Sequence, residues 1–176
     1  MSYLIILIGS LLRVIPHPAN FVPIGAIALF GGARLSKKQA VILPVAAMVI
    51  SDFFIGFDSL ASRLSVYGSF VIIGLIGMLL KNRKGIGYIL GGSVLGSIVF
   101  YLVTNFVFFH SAGLYPQTLN GLVASYVNAI PFFRNSLMAD ALYSLIFFGA
   151  YELAGQRTKI LNYVKNYKSQ GTHQGL

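Results

Sequence analysis

The sequence contains no cysteine, and only 4 of its 176 residues are acidic. Without cysteine the chain forms no disulfide, no thiolate metal site and no thiol nucleophile. Charged residues make up 10% of the chain, whereas a soluble domain carries roughly 25%. This scarcity of charge argues against an ordinary soluble domain.

The residues that are present are mainly apolar. Hydrophobic residues account for 56% of the chain, and the mean hydropathy is +0.78. The net charge is +9, but the cations occur in short clusters between apolar segments. That distribution is the positive-inside pattern of membrane proteins, so the charge needs no nucleic-acid partner. We expect one integral domain in the lipid bilayer of the inner (cytoplasmic) membrane.

Residues 13–32 combine features that membrane segments normally avoid. The polar and helix-breaking residues of this stretch are Arg13, Pro16, His17, Pro18, Asn20 and Pro23. Proline bars regular helix here, and irregular backbone at membrane depth persists only when buried in protein or lining a wet cavity. We therefore predict a discontinuous, proline-containing N-terminal element with a polar elbow. The alternative is an ordinary loop between two short helices, with Arg13 reaching the interface.

The apolar segments predict an all-α fold. A spanning helix needs about 20 apolar residues. Candidate segments lie at residues 3–15, 21–33, 39–57, 66–80, 86–109 and 135–154. If the two short N-terminal segments both cross, the chain is a polytopic membrane helix bundle of about six transmembrane helices. If they do not, the N-terminus lies outside or the first segment is re-entrant. Residues 119–130 are predicted to form an interfacial or re-entrant helix.

Basic residues predict the orientation of the bundle. Basic turns occur at residues 34–38 and 81–84, and a basic tail follows the last segment. These regions are expected on the cytoplasmic side. Loops 58–65 and 110–134 then face outside.

The same reasoning divides the chain into two regions. Residues 1–155 form a single transmembrane helix-bundle domain, and residues 156–176 form a basic cytoplasmic tail. The C-terminus is therefore cytoplasmic. The last residues of the tail, 169–176, are expected to be disordered.

Buried charges predict a site in the outer half of the bundle. A charge at the bilayer centre costs roughly 2.5–3.5 kcal/mol, so Asp52 and Asp140 need a partner or water. By residue counting, Arg13 lies at a similar depth, and we predict that all three converge on one outward-facing cavity. The candidate ligand-binding residues are Arg13, His17, Asn20, Asp52, Asn105, Tyr115, Arg134, Asn135 and Asp140. The alternative for the two aspartates is a structural Arg–Asp pair.

Two polar stripes at helical spacing support an inward-facing site. They comprise Ser93, Ser97, Tyr101, Thr104 and Asn105 on the fifth span and Ser136, Asp140, Tyr143, Ser144 and Tyr151 on the last. Because lipid disfavours polar stripes, the two are expected to face each other. For the serines the alternative is a set of structural interhelical hydrogen bonds.

Enzyme chemistry is not indicated. The sequence contains no H-E-x-x-H, G-x-S-x-G or nucleotide-binding loop. We expect no catalytic residues, no cofactor and no metal. His17 and His110, with Asp58, are a weak metal alternative because their spacing matches no metal motif.

Small residues follow the elbow. Gly25, Ala28, Gly31 and Gly32 include an Ala-x-x-x-Gly spacing that lets another helix approach closely. We interpret these four residues as a partner-docking face.

Several sequence blocks carry a family resemblance. They are RxxPHPxNFxPxGA from Arg13, ALFGG from Ala28, SD at Ser51, VTNF from Val103, YP at Tyr115, and IPFFRN from Ile130 leading to Asp140. With these blocks the chain resembles a family of small bacterial membrane proteins that are similar to the substrate-binding (S) components of energy-coupling factor transporters. The resemblance implies capture of a vitamin or micronutrient outside the cell, with a separate transmembrane coupling subunit and two ATPases. It also implies that the docking face contacts that coupling subunit.

Two functions therefore compete. The first is an integral membrane solute-binding subunit that captures a small molecule from the outer side. The second is a structural or assembly membrane protein that binds lipid or another helix bundle without a small-molecule ligand. The one-sided polar cluster favours the first, because a scaffold has no need to bury Asp52 and Asp140.

Overall fold

A computed structural model describes residues 2–83 and 85–173, with side chains up to residue 158 except at position 5. Lys84, the last residue of the predicted second basic turn, lies outside the described residues, as do residues 174–176 of the predicted tail.

The described residues form seven helices and no strand, which confirms the all-α class. The helices are α1 (Ser2–Leu12), α2 (Ile24–Arg34), α3 (Lys37–Ile55), α4 (Leu60–Leu79), α5 (Ile86–Ser111), α6 (Leu119–Asn128) and α7 (Ile130–His173).

Side-chain caps set several helix ends. Ser36 and Gln39 form a capping box at the start of α3. Ser59 and Thr118 accept backbone N–H groups at the starts of α4 and α6. Helix α3 ends at Gly56, whose φ of 107° favours glycine. Because Ser59 caps α4, that helix begins earlier than the apolar run alone predicts.

Four helices are long and apolar enough to cross a membrane: α3, α4, α5 and the first part of α7, Ile130–Thr158. Helices α1 and α2 have 11 residues each. At 1.5 Å per residue each is about 16 Å long, roughly half of a hydrocarbon core. The non-helical elbow, residues 13–23, joins them. The break that the prolines predict is therefore present, and the count of six transmembrane helices stays a prediction.

Helix α2 is the centre of the bundle. Every residue from Ile24 to Ala33 is buried, and the helix contacts α1, α3, α4, α5 and α7. Phe30 packs edge-to-face against Phe147, Phe148 and Tyr151 of α7. The hydrophobic core is therefore built around a short helix surrounded by longer ones.

The contact between α2 and α4 depends on glycine. A Cβ on Gly32 would overlap the Gly74 carbonyl oxygen, and a Cβ on Gly77 would overlap the Leu29 carbonyl oxygen. Small residues allow helix backbones to approach this closely. The two helices therefore meet main chain to main chain.

This burial corrects the predicted docking face. The four residues assigned to it, Gly25, Ala28, Gly31 and Gly32, are all buried inside the chain's own bundle. Gly31 faces Ile6 of α1, and Gly32 faces α4. The prediction of an exposed docking face here is wrong. Small-residue spacing indicates close helix packing, but it does not distinguish a helix of the same chain from one in a partner.

Arg34 fixes the other end of α2. Its Nη2 lies 2.7 Å from Glu152 Oε1 on α7. Its guanidinium lies 5.4 Å and 5.1 Å from the ring centres of Phe148 and Tyr151. A cation at a helix C-terminus is also favoured by the helix dipole.

Helix α7 continues through the region predicted as a tail. Its helical backbone runs to His173, so residues 169–173 are helical where disorder was expected. The assignment of residues 156–176 to a separate cytoplasmic tail stays a prediction.

Gly32→Ala is expected to destabilise the bundle, because the added methyl group would overlap the α4 backbone. Overpacking of this kind typically costs about 1–3 kcal/mol. The measurement is the melting temperature of the purified protein in a fixed detergent. Gly91→Ala is the control, since a Cβ there meets nothing within 4 Å. An unchanged melting temperature for Gly32→Ala would contradict the packing.

Candidate functional site

A cavity lies between the elbow, α5, α6 and the start of α7, with Ser62 of α4 also in its wall. Its volume is about 470 Å³, which falls within the range of small-molecule sites, roughly 300–1,000 Å³. Six aromatic side chains line it: Phe100, Tyr101, Phe108, Tyr115, Phe132 and Phe133. We call this space the aromatic cavity. None of its lining residues is acidic or basic.

Aromatic contacts and hydrogen bonds attach α6 to the cavity wall. Tyr101 stacks on Phe133 with ring centres 4.5 Å apart. The Tyr101 hydroxyl donates to the Tyr126 carbonyl at 2.6 Å, and the Tyr126 hydroxyl donates to the Leu102 carbonyl at 2.7 Å. Each tyrosine therefore donates a hydrogen bond to the backbone of the helix that carries the other. These two hydrogen bonds hold α6 over the cavity.

The polar groups of the aromatic cavity are hydroxyls and amides. Asn105 Nδ2 donates to the Tyr101 carbonyl at 2.8 Å, and Asn128 Nδ2 donates to the Tyr115 hydroxyl at 3.2 Å. Ser125 is only 2% exposed, and its Oγ has no hydrogen-bond partner. An unsatisfied buried polar group costs about 1–3 kcal/mol. Ser125 is therefore a buried hydrogen-bonding group of this wall that has no partner among the described residues.

Asp140 lies beneath the aromatic cavity. A small cavity of about 30 Å³ touches Asp140 and shares Asn20, Phe100 and Ser136 with the larger one. Asp140 Oδ2 accepts a hydrogen bond of 2.6 Å from Ser97 Oγ on α5. This bond and the Tyr101–Phe133 stack confirm that the polar stripes of α5 and α7 face each other.

Asp140 also lies at the start of helix α2. Pro23 at the N-cap has no side-chain hydrogen bond to give, and the Asp140 carboxylate lies against Gly25 in the first turn. Gly25 permits this approach, because a Cβ there would overlap the carboxylate. A carboxylate at a helix N-terminus satisfies free N–H groups and complements the dipole. The buried charge therefore has a structural role.

Arg13 and Asp52 form a separate buried network. Arg13 Nη1 lies 2.6 Å from Asp52 Oδ1 and also donates to the Ser51 hydroxyl. The Tyr67 hydroxyl of α4 donates to Asp52 Oδ2. The pair therefore holds the elbow against α3 and α4. For Asp52, this contact matches the alternative in which the aspartate belongs to a structural Arg–Asp pair.

This network lines a cavity of about 200 Å³ that includes Asp58 and Arg63. A hydrogen bond from the Ser62 hydroxyl, followed by one from the Ser59 backbone N–H, lowers the pKa of Asp58. Asp58 is therefore ionised at neutral pH. Arg63 lies over the Phe57 ring, 5.0 Å from its centre. This second cavity carries charges of both signs, unlike the aromatic cavity.

The predicted site residues thus divide into groups. Asn20, Asn105 and Tyr115 line the aromatic cavity with Asp140 beneath it, whereas Arg13 and Asp52 line the charged cavity. The prediction of one shared cavity is wrong. Residue counting gives the depth of a side chain but not its direction around the bundle.

The remaining predicted residues lie outside both cavities. Arg134 is exposed, and Asn135 Nδ2 donates to the Ala19 carbonyl of the elbow at 2.9 Å. His17 is exposed, with Nδ1 2.6 Å from the Ile15 carbonyl. His110 Nδ1 lies 3.0 Å from Gln117 Oε1. Within the described ranges, no group of three or more potential metal ligands occurs.

Sequence reasoning missed Ser125, Phe100 and Phe133 as lining residues. Ser125 sits on the short helix α6, where a single serine carries no positional signal. Phe100 and Phe133 belong to apolar segments. In such segments the sequence does not distinguish a phenylalanine that faces lipid from one that faces a cavity.

The chain matches a known protein family. The family model covers residues 1–163. The chain belongs to DUF6580, a family of unknown function. No curated protein and no solved structure matches the chain.

Asp52→Asn and Asp140→Asn are expected to differ in their effect on stability. Asp52→Asn leaves the Arg13 guanidinium unpaired, which costs about 3 kcal/mol. Asp140→Asn leaves no cation unpaired, and asparagine itself caps helices well, so we expect a loss of about 1 kcal/mol. The measurement is the free energy of unfolding in mixed micelles.

The control for this comparison is the double variant Arg13→Gln with Asp52→Asn, which removes both charges and is expected to recover part of the loss. An equal or larger loss for Asp140→Asn would contradict the role assigned to Asp140 at the start of α2.

Proposed function

We propose that this chain is an integral membrane solute-binding subunit that captures a small molecule from the outer side of the cytoplasmic membrane. The observation that carries the proposal is the aromatic cavity of about 470 Å³. Its apolar walls and few convergent polar groups are typical of small-molecule sites. Ser125 in its wall has a buried hydroxyl with no hydrogen-bond partner among the described residues, and such a group favours a polar partner.

The surface of the bundle supports embedding in a membrane. Many large apolar side chains are exposed, such as Phe53, Phe54, Leu79 and Leu153 at 68–77%. Water-exposed apolar area of this extent is unusual for a soluble monomer. Four helices also have the length and composition of spans.

The cations support the orientation. Lys37 and Lys38 are exposed in the first turn of α3, and Arg83 is exposed between α4 and α5. The positive-inside rule makes the end of the bundle that carries them cytoplasmic. The aromatic cavity, which lies toward the C-terminal end of α5, then opens to the outside.

The N-terminal element fits the same orientation. Gly25 lies beside Asp140, and Arg34 bonds Glu152, so α2 runs parallel to the inward-going α7. Helices α1 and α2 each cover about half of the membrane. The elbow occupies the outer half of the membrane and lines the cavities. Irregular backbone at membrane depth has to be buried in protein or line a cavity. In this arrangement the N-terminus is cytoplasmic.

Transport would require partners. The chain has no nucleotide-binding loop, so it does not hydrolyse ATP by itself. Its resemblance to energy-coupling factor S components supports a transmembrane coupling subunit and ATPases as partners, with a vitamin or micronutrient as ligand. Because α2 is enclosed, such a subunit would bind a face other than Gly25–Gly32.

The second candidate is a structural or assembly membrane protein without a ligand. One observation favours it. Both buried aspartates already have protein partners, Arg13 and Tyr67 for Asp52 and Ser97 for Asp140. Neither charge needs a ligand. The aromatic cavity is what this alternative leaves unexplained.

Orientation is tested by single cysteines, since the chain contains none of its own. In intact cells Leu114→Cys is expected to react with a membrane-impermeant maleimide, because Leu114 is 71% exposed beside the aromatic cavity. Lys38→Cys is expected to react only after the cells are opened. Labelling of position 38 in intact cells would refute the orientation.

Ligand capture is tested by blocking the aromatic cavity. Ser125→Phe places a ring into the cavity wall, whereas Val123→Phe adds the same ring at a 54% exposed position of the same helix. The quantity measured is small molecule released from equal amounts of purified protein, by mass spectrometry. Ser125→Phe is expected to reduce retention at least tenfold, about 1.4 kcal/mol in binding free energy. Equal retention by wild type, Ser125→Phe and Val123→Phe would show that the aromatic cavity does not hold the small molecule.

A further inference from the structure

We propose that the ligand of the aromatic cavity is an uncharged, planar ring compound that carries polar hydrogen-bonding groups. This inference rests on the proposed solute-binding function and adds its substrate class. It follows from the charge, the ring content and the unused polar groups of the cavity.

A negatively charged ligand finds no counter-charge here. No acidic or basic residue lines the aromatic cavity. Arg13 is paired with Asp52, and Arg63 lies over Phe57, both in the separate charged cavity. Burying a charge without a partner is strongly unfavourable. A carboxylate or phosphate group is therefore disfavoured.

A cationic ligand is disfavoured too. The carboxylate of Asp140 lies in the small cavity below and already accepts a hydrogen bond from Ser97. Three of the six aromatic rings already have a stacking partner. Tyr101 is stacked on Phe133, and Phe100 is stacked on Phe70 with ring centres 5.3 Å apart. Ring faces used in this way are less available for cation–π contact.

A planar ligand suits the remaining surface. Phe108, Tyr115 and Phe132 present rings to the cavity, and aromatic groups prefer offset-stacked or edge-on partners. A volume of about 470 Å³ admits a compound of one or two rings. Shape and ring content therefore favour a flat molecule over a flexible chain.

The unused polar groups include acceptors and donors. Asn105 and Asn128 each donate one N–H within the protein, which leaves the Oδ1 atom and the second N–H of each amide. The Ser125 hydroxyl can both accept and donate. A ligand with polar hydrogen-bonding groups satisfies these atoms, whereas a pure hydrocarbon leaves them unpaired.

The test uses the full-length protein in detergent, incubated with the small-molecule fraction of a rich growth medium. After washing and denaturation, released compounds are identified by mass spectrometry, and their charge at pH 7 is assigned by ion-exchange behaviour. The proteins compared are wild type, Ser125→Phe, Ser125→Ala and the control Val123→Phe. Melting temperatures confirm that each variant is folded.

The expected result is an uncharged ring compound retained by wild type and Val123→Phe and lost from Ser125→Phe. Ser125→Ala keeps the cavity open and is expected to weaken retention roughly fivefold, the effect of one hydrogen bond. A retained anion or cation with the same dependence on Ser125→Phe would overturn the ligand class but leave the proposed function standing. If no compound depends on Ser125→Phe, both are overturned.

Discussion

The rest of the structure depends on how helix α2 begins inside the bundle. A helix that starts at a surface can bond its first free N–H groups to water, but this one starts among packed helices. Pro23 provides no capping side chain. The Asp140 carboxylate of α7 lies against this start, and Gly25 leaves room for it. One buried carboxylate is therefore packed where α2 begins and the elbow ends.

The elbow is consequently held at several points rather than left as a free loop. Arg13 joins it to α3 and α4, and the Asn135 side chain joins it to α7 through Ala19. Asn20, with a positive φ of 61°, turns the chain toward the aromatic cavity. The elbow thus contributes Asn20 to a neutral cavity and Arg13 to a charged one. The buried charges of Arg13 and Asp52 are paired within the protein.

Local sequence features predicted much of this fold. Pro16, Pro18 and Pro23 indicated the break between α1 and α2, because proline cannot continue a helix there. The spacing of Ser97 and Asp140 on their helices indicated that both face inward, and they are hydrogen-bonded. These inferences succeeded because they depend on the geometry of one helix at a time.

The failures involve how several helices are arranged. Arg13, Asp52 and Asp140 were expected together, but similar depth does not fix the direction of a side chain around a bundle. Gly32 was expected on an outer face, although its spacing fits equally well against α4 of the same chain. Ser125 gave no signal at all, since its importance arises only from the cavity that α5, α6 and α7 enclose.

The central claim is that the aromatic cavity holds a small molecule beneath α6. The most direct measurement is an experimental density map of the protein extracted under mild conditions from the cells that produce it. The account predicts compact, ring-shaped density between Phe108 and Phe132, within hydrogen-bonding distance of Ser125 Oγ. A cavity closed by α6 and filled by the protein's own side chains, with the Ser125 hydroxyl bonded to one of them, would contradict it.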